Sequence, residues 1–168
     1  MKTVILTVLS CFFLSLSACE KIPVPPEQEE LQNQKQPEDN GQQNGNENTQ
    51  TMTMEITAGG KTITATLADN ATAKALAEKL KSGSITVEMM ANGFEHYGPL
   101  GFSLERHDKQ VTAVSGDIML YNGNNICVFY GSNSWSYTPL GKVDGKTADE
   151  LKAFFGTGTV TVTYSLKQ

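Results

Sequence analysis

The chain has 168 residues, 39% of them hydrophobic and 18% charged, with a net charge of −5 at pH 7. That length suits one domain with an appended segment. Residues 20–50 hold seven acids against two bases, whereas residues 51–168 hold eleven acids and ten bases without a Lys/Arg cluster, which argues against nucleic acid as a partner.

The N-terminus carries one positive charge, Lys2, followed by the uncharged run Val4 to Leu14. So short a run suits a secretory signal better than a spanning helix, which needs roughly 20 apolar residues. It ends in Leu16-Ser17-Ala18-Cys19, which resembles the bacterial lipobox. The resemblance implies a signal peptide over 1–18 and a diacylglycerol on the Cys19 thiol. Acyl chains such as palmitate would then hold the protein on a membrane of the cell envelope, each buried methylene contributing about 0.8 kcal/mol. No acidic run directly follows Cys19, which favours a periplasm-facing address over the cell surface. An ordinary cleavable signal with Cys19 as a neighbour is the alternative.

Residues 19–50 are dominated by Glu, Gln, Asn, Pro and Gly, and Ile22, Val24 and Leu31 follow no period. This composition cannot bury enough apolar surface to offset chain entropy and predicts a disordered tether with an end-to-end distance of roughly 30 Å. Of the three cysteines, Cys11 leaves with the signal and Cys19 is modified. Only Cys127 remains in the 51–168 domain, so no intrachain disulfide is expected.

From Thr51 onward a period of two dominates. Met52, Met54 and Ile56 alternate with polar residues, Gly59-Gly60 supplies a primed turn, and Ile63, Ala65 and Leu67 alternate again, predicting a hairpin. Asp69 to Thr72 offer N-cap residues for a helix with Ala73, Leu76, Ala77 and Leu80 on one face, ended by Gly83. Ile85, Val87 and Met89 form a strand. Ala91 to Lys109, with turn signals at Asn92-Gly93, Gly98-Pro99 and Gly101, reads as a long loop of the kind that carries binding residues.

Val111 to Val114 form a strand, and Ile118–Tyr121 and Ile126–Tyr130 form a second hairpin about Asn122-Gly123. Ser132 to Thr138 is polar and aromatic, and Pro139-Leu140-Gly141 leads to Val143. Thr147 and Glu150 make a capping box for a short helix with Leu151, Phe154 and Phe155 that ends at Gly156. Val160, Val162, Tyr164 and Leu166 give a last strand expected to close against the first. Seven or eight strands and two short helices favour a closed barrel, with a sandwich as the alternative.

Five blocks then come into view in one order: Thr62–Leu80 (TITATLADNATAKALAEKL), Gly93–Gly98 (GFEHYG), Ser115–Tyr130 (SGDIMLYNGNNICVFY), Trp135–Val143 (WSYTPLGKV) and the closing GTGTVTVTY. Together they resemble the bacterial cyclophilin-like domain family. The resemblance implies a mainly β fold, a closed barrel of about eight strands with two short helices. It does not imply prolyl isomerase activity. Cyclophilin enzymes carry a Phe-His-Arg stretch, a glutamine and a Gly-Gly-Asp turn, and here the only arginine is Arg106, preceded by Leu104 and Glu105. Ser115-Gly116-Asp117 is a partial echo. Lowering a rotation barrier of about 18–20 kcal/mol needs a directed donor in an apolar groove, a role open to Arg106 only if it projects into one.

Candidate residues follow from chemistry and place. Trp135 and Tyr137, in a polar segment, can stack on a ligand or merely cover one end of the fold, with Tyr97 and Phe102 as companions from the long loop. Glu95, His96 and Tyr97 are candidates for a pocket rim. His96 and His107 lack a ligand spacing, so no metal site is expected, and no cofactor is either. Cys127 has neither base nor cation beside it and reads as a small buried hydrophobe. Ser134 and Ser136 lack a nucleophile motif.

The leading expectation is a noncatalytic domain binding a small molecule or extended peptide. The alternatives are a divergent peptidyl-prolyl isomerase assisting envelope protein folding through Arg106, and a purely structural envelope role.

Overall fold

A computed structural model describes residues 51–167. The expected signal peptide, the expected lipidation at Cys19 and the expected tether fall on residues outside the described ones.

Thr53–Ala58 (β1) and Lys61–Leu67 (β2) form the expected hairpin, with Gly59 and Gly60 at φ +53° and +74°. Ala71–Lys81 (α1) starts at Asn70, whose Oδ1 accepts from the Ala73 N–H at 2.8 Å while its Nδ2 donates to the Pro139 carbonyl at 2.9 Å. One side chain thus caps the helix and fixes it to a distant strand. Ile85–Ala91 (β3), Glu95–Pro99 (β4), Lys109–Ala113 (β5), Asp117–Tyr121 (β6), Asn125–Phe129 (β7) and Asn133–Val143 (β8) follow, then Ala148–Phe155 (α2) and Val160–Leu166 (β9). In α2 the capping box of Thr147 and Glu150 is complete.

Eight strands close into a ring in the order β2-β1-β9-β3-β4-β7-β6-β8, and β8 returns to β2 through Ala65↔Val143, Thr66↔Lys142 and Leu67↔Gly141. The predicted ring of about eight strands with two short helices is therefore present, and β9 lies between β1 and β3. The ninth strand, β5, pairs only with the first half of β8, from Lys109↔Tyr137 to Ala113↔Asn133. Strand β8 is long enough to serve three partners. A register shift between Ile118 and Met119 sets Pro139, which has no N–H, at an irregularity.

Two sequence expectations change. The expected loop over Ala91 to Lys109 contains β4, whose Glu-His-Tyr-Gly-Pro composition hides a strand paired on both sides, with β3 and β7. The polar aromatic segment from Ser132 is the start of the longest strand. In both cases pairing with neighbouring strands holds residues that local propensity assigns to loops.

The period of two assigns the faces. Met54, Ile56, Val87, Ile118, Leu120, Ile126, Val128 and Leu140 point into the main core, joined by Leu76 and Leu80 of α1 and Leu151 and Phe155 of α2. Helix α1 packs against β8 and β9, which are not neighbours in the ring, so it lies across an opening. On the opposite face of β4, β6, β7 and β8 a second cluster forms from Met119, Cys127, Phe129 and Tyr137, with Phe94, Tyr97 and Tyr121 against it. Buried on both faces, β6 and β7 read as almost continuous apolar runs. The second cluster positions the site.

Candidate functional site

A concavity of about 260 Å³ opens on that second face. Its wall is made by Phe94, Glu95 and Tyr97 from β4 and the residue before it, Tyr121 from β6, and Asn133, Trp135 and Tyr137 from β8, with Asn92 at one edge. Strand alternation puts Glu95 and Tyr97 on one face and His96 on the other. Phe129 underlies the aromatic wall, stacked on Phe94 at 6.1 Å between centroids and edge-on to Tyr137 at 5.5 Å. Tyr121 meets Tyr137 at 6.1 Å. Asn133 Nδ2 donates to the Tyr137 hydroxyl at 2.8 Å, and Tyr137 is buried. Trp135 is 56% exposed, a large ring left at the rim.

Glu95 is the charged member. It is only 6% exposed, its Oε1 receives a long 3.4 Å hydrogen bond from Asn92 Nδ2, and its Oε2 has no hydrogen-bond partner among the described residues. Burial pushes its carboxyl above the ordinary value of 4.5, opposed by the Asn92 amide and the neighbouring Cys127 thiol. Burial also pushes the Cys127 thiol strongly upward, and the Glu95 charge adds to that, so the thiol stays protonated. Its reading as a buried hydrophobe agrees with this environment.

Of the residues singled out in the sequence, Glu95, Tyr97, Trp135 and Tyr137 come together here. His96 does not. Its ring lies in the core, 5.1 Å from Phe155 and 5.6 Å from Tyr130, and Nε2 donates to the Gly158 carbonyl at 3.0 Å. That donation fixes the neutral tautomer, leaving Nδ1 without a partner among the described residues. Phe102 is also elsewhere: it packs against the main core with the Lys79 ammonium 5.4 Å from its ring centroid.

Arg106 does not line the pocket. Its Nε donates to Asp108 Oδ2 at 2.9 Å and its terminal nitrogen engages the same oxygen, while Thr138 Oγ1 donates to Asp108 Oδ1 at 2.6 Å. His107 sits half-exposed, 3.6 Å from Glu105. Among the described residues no group of three His, Cys, Asp or Glu side chains is placed to hold a metal ion. A second concavity, of about 300 Å³ between the start of β2 and α2, has its charges in exposed Lys61 and the exposed pair Lys146–Glu150 and presents no buried polar group.

Sequence reasoning missed Asn92, Phe94, Tyr121 and Asn133. A signal existed for Tyr121, since Met119 and Tyr121 alternate with Ile118 and Leu120 and so imply a second apolar face.

The neighbours Glu95 and His96 give opposite pH dependences. Glu95, with its folded pKa raised, contributes stability that is present below 4.5 and lost as pH rises through the folded value. Burial lowers the His96 pKa from 6.5, so its contribution is present above 6.5 and lost as pH falls through the lowered value. The urea stability of Glu95→Gln should therefore gain on wild type as pH rises above 4.5, whereas parallel curves would mean that the carboxyl titrates normally.

A model described as the cyclophilin-like family matches residues 56–165, from within β1 to within β9 and about two-thirds of the chain. No curated protein matches it.

Proposed function

The chain belongs to the cyclophilin-like family, and from that premise we propose that it is a noncatalytic binding domain. A small molecule or a side chain of an extended peptide occupies the pocket of Tyr97, Tyr121, Trp135 and Tyr137. Cys19 carries the lipid that holds the domain at the periplasmic side of the cell envelope, and residues 19–50 space it from the membrane. The observation that supports binding is the grouping of five aromatic side chains from three strands and the residue before one of them around a single open concavity. A ring as large as that of Trp135 left exposed beside other rings is characteristic of a surface that meets a partner.

The isomerase alternative has less support. Both donor groups of Arg106 that make contacts are engaged by Asp108, and the side chain lies outside the pocket lining. With X-Pro peptides the protein should give no rate above the uncatalysed one, and Arg106→Ala should leave that unchanged. Turnover abolished by Arg106→Ala would instead establish the enzyme. Mass spectrometry of the protein from bacterial membranes tests the anchor: a diacylglyceryl adduct on a chain beginning at Cys19 is expected, and a free thiol there contradicts it.

A further inference from the structure

A buried carboxylate without a partner is expensive in a folded protein, because removal from water must be offset by hydrogen bonds or an opposite charge. Glu95 has one long contact from the Asn92 amide, a weak one from the Cys127 thiol, and an Oε2 with no hydrogen-bond partner among the described residues. None of the residues lining its pocket is basic. On the neighbouring strands and loops, Arg106 is paired with Asp108 and Lys142 with Asp117, and Lys109, opposite Tyr137 on β5, is not among the lining residues. The titratable groups that face Glu95 are Cys127 on β7, Tyr130 after it and Tyr137 on β8, and burial raises all three, so they remain neutral. Glu95 is therefore the one formal charge at the pocket.

The rest of the wall is aromatic. Ring faces attract cations, and more strongly where water is excluded. Resting on the binding reading above, we propose that the pocket is a site for a hydrogen-bonding organic cation, an ammonium or amidinium-type group on an apolar body, with Glu95 as its counter-ion. A quaternary ammonium would suit the rings but could not donate to Oε2, so the cation is one that carries N–H groups. The volume of about 260 Å³ suits a small free amine or amidine, or one Lys or Arg side chain of an extended peptide.

Trp135 is the only tryptophan of the chain, so its fluorescence reports on this pocket alone. The purified full chain is titrated with benzamidinium, with its near-isosteric neutral amide benzamide, with benzoate, and with a blocked Gly-Arg-Gly peptide. Benzamidinium should saturate at least about tenfold more tightly than benzamide, a difference of about 1.4 kcal/mol, and Glu95→Gln should erase that difference. Tighter binding of the peptide than of benzamidinium assigns the cation to a peptide side chain, and the reverse assigns it to a free molecule. Equal binding of benzamide and benzamidinium, or preferential binding of benzoate, overturns the cation while leaving a binding pocket. No response to any of the four removes the pocket reading itself. Because the comparison of charged and neutral probes is made on the wild-type protein, it stands even if Glu95→Gln fails to fold.

Discussion

Gly141→Ala should lower the stability of the protein by about 3 kcal/mol or more, at or beyond the upper end of ordinary overpacking, and can leave the chain unfolded given a total stability of about 5–15 kcal/mol. A Cβ at this position would sit 2.5 Å from the Thr66 carbonyl oxygen and 3.1 Å from the Leu67 Cα. Both are backbone atoms, so no side chain can rotate away. Gly141 is also paired on both sides, with Leu67 of β2 and Ile118 of β6. Moving β8 off β2 opens the seam that closes the ring, a seam of only three residue pairs. Urea denaturation measures the effect, and a loss below about 0.5 kcal/mol would mean that the seam yields without cost.

Phe129→Ala is the second large effect, with an expected loss of about 3–5 kcal/mol. The ring is fully buried, and it supports Phe94 on one side and Tyr137 on the other. Its removal should weaken ligand binding along with stability, because the pocket wall loses its backing. Trp135→Ala makes the contrast. At 56% exposure its loss should change stability by no more than about 0.5 kcal/mol. Binding of benzamidinium, followed by calorimetry, should nonetheless fall by about tenfold or more. Equal losses of stability in the two variants would place Trp135 in the core and remove it from the pocket rim.

The contrast between these positions mirrors what the sequence makes legible. The alternation from Met54 to Leu67 and from Val160 to Leu166 encodes strands with one buried face, and Asn70, Thr147 and Gly156 mark helix ends by their capping chemistry. Such signals are local, so these strands and both helices are readable, and their number favours a closed ring. The order β4-β7-β6-β8 is not local. It is set by pairings such as Tyr97↔Cys127 and Met119↔Pro139, and only these bring Tyr121 and Asn133 to Glu95 and Tyr97.

Strand β4 illustrates the limit most clearly. Glu95, His96, Gly98 and Pro99 each suggest a loop, yet the strand is paired on both sides. Within it the alternation separates Glu95 at the pocket from His96 in the core, a division that adjacency in the sequence conceals. Position in the sequence groups Phe102 with the pocket because it follows the same segment, but the chain turns after Pro99 and delivers its ring beneath Lys79. Glu95 stands out only with its surroundings known: a carboxylate is ordinary in sequence and unusual when buried beside rings with one oxygen lacking a partner.

Backbone amide shifts of the isotope-labelled protein, recorded while benzamidinium is added, test the pocket most directly. The account predicts saturable changes concentrated at Asn92 to Tyr97, Tyr121 and Asn133 to Tyr137, the segments that line the concavity. Changes confined to other surfaces, such as the face of Lys61, Lys146 and Phe154, would contradict it.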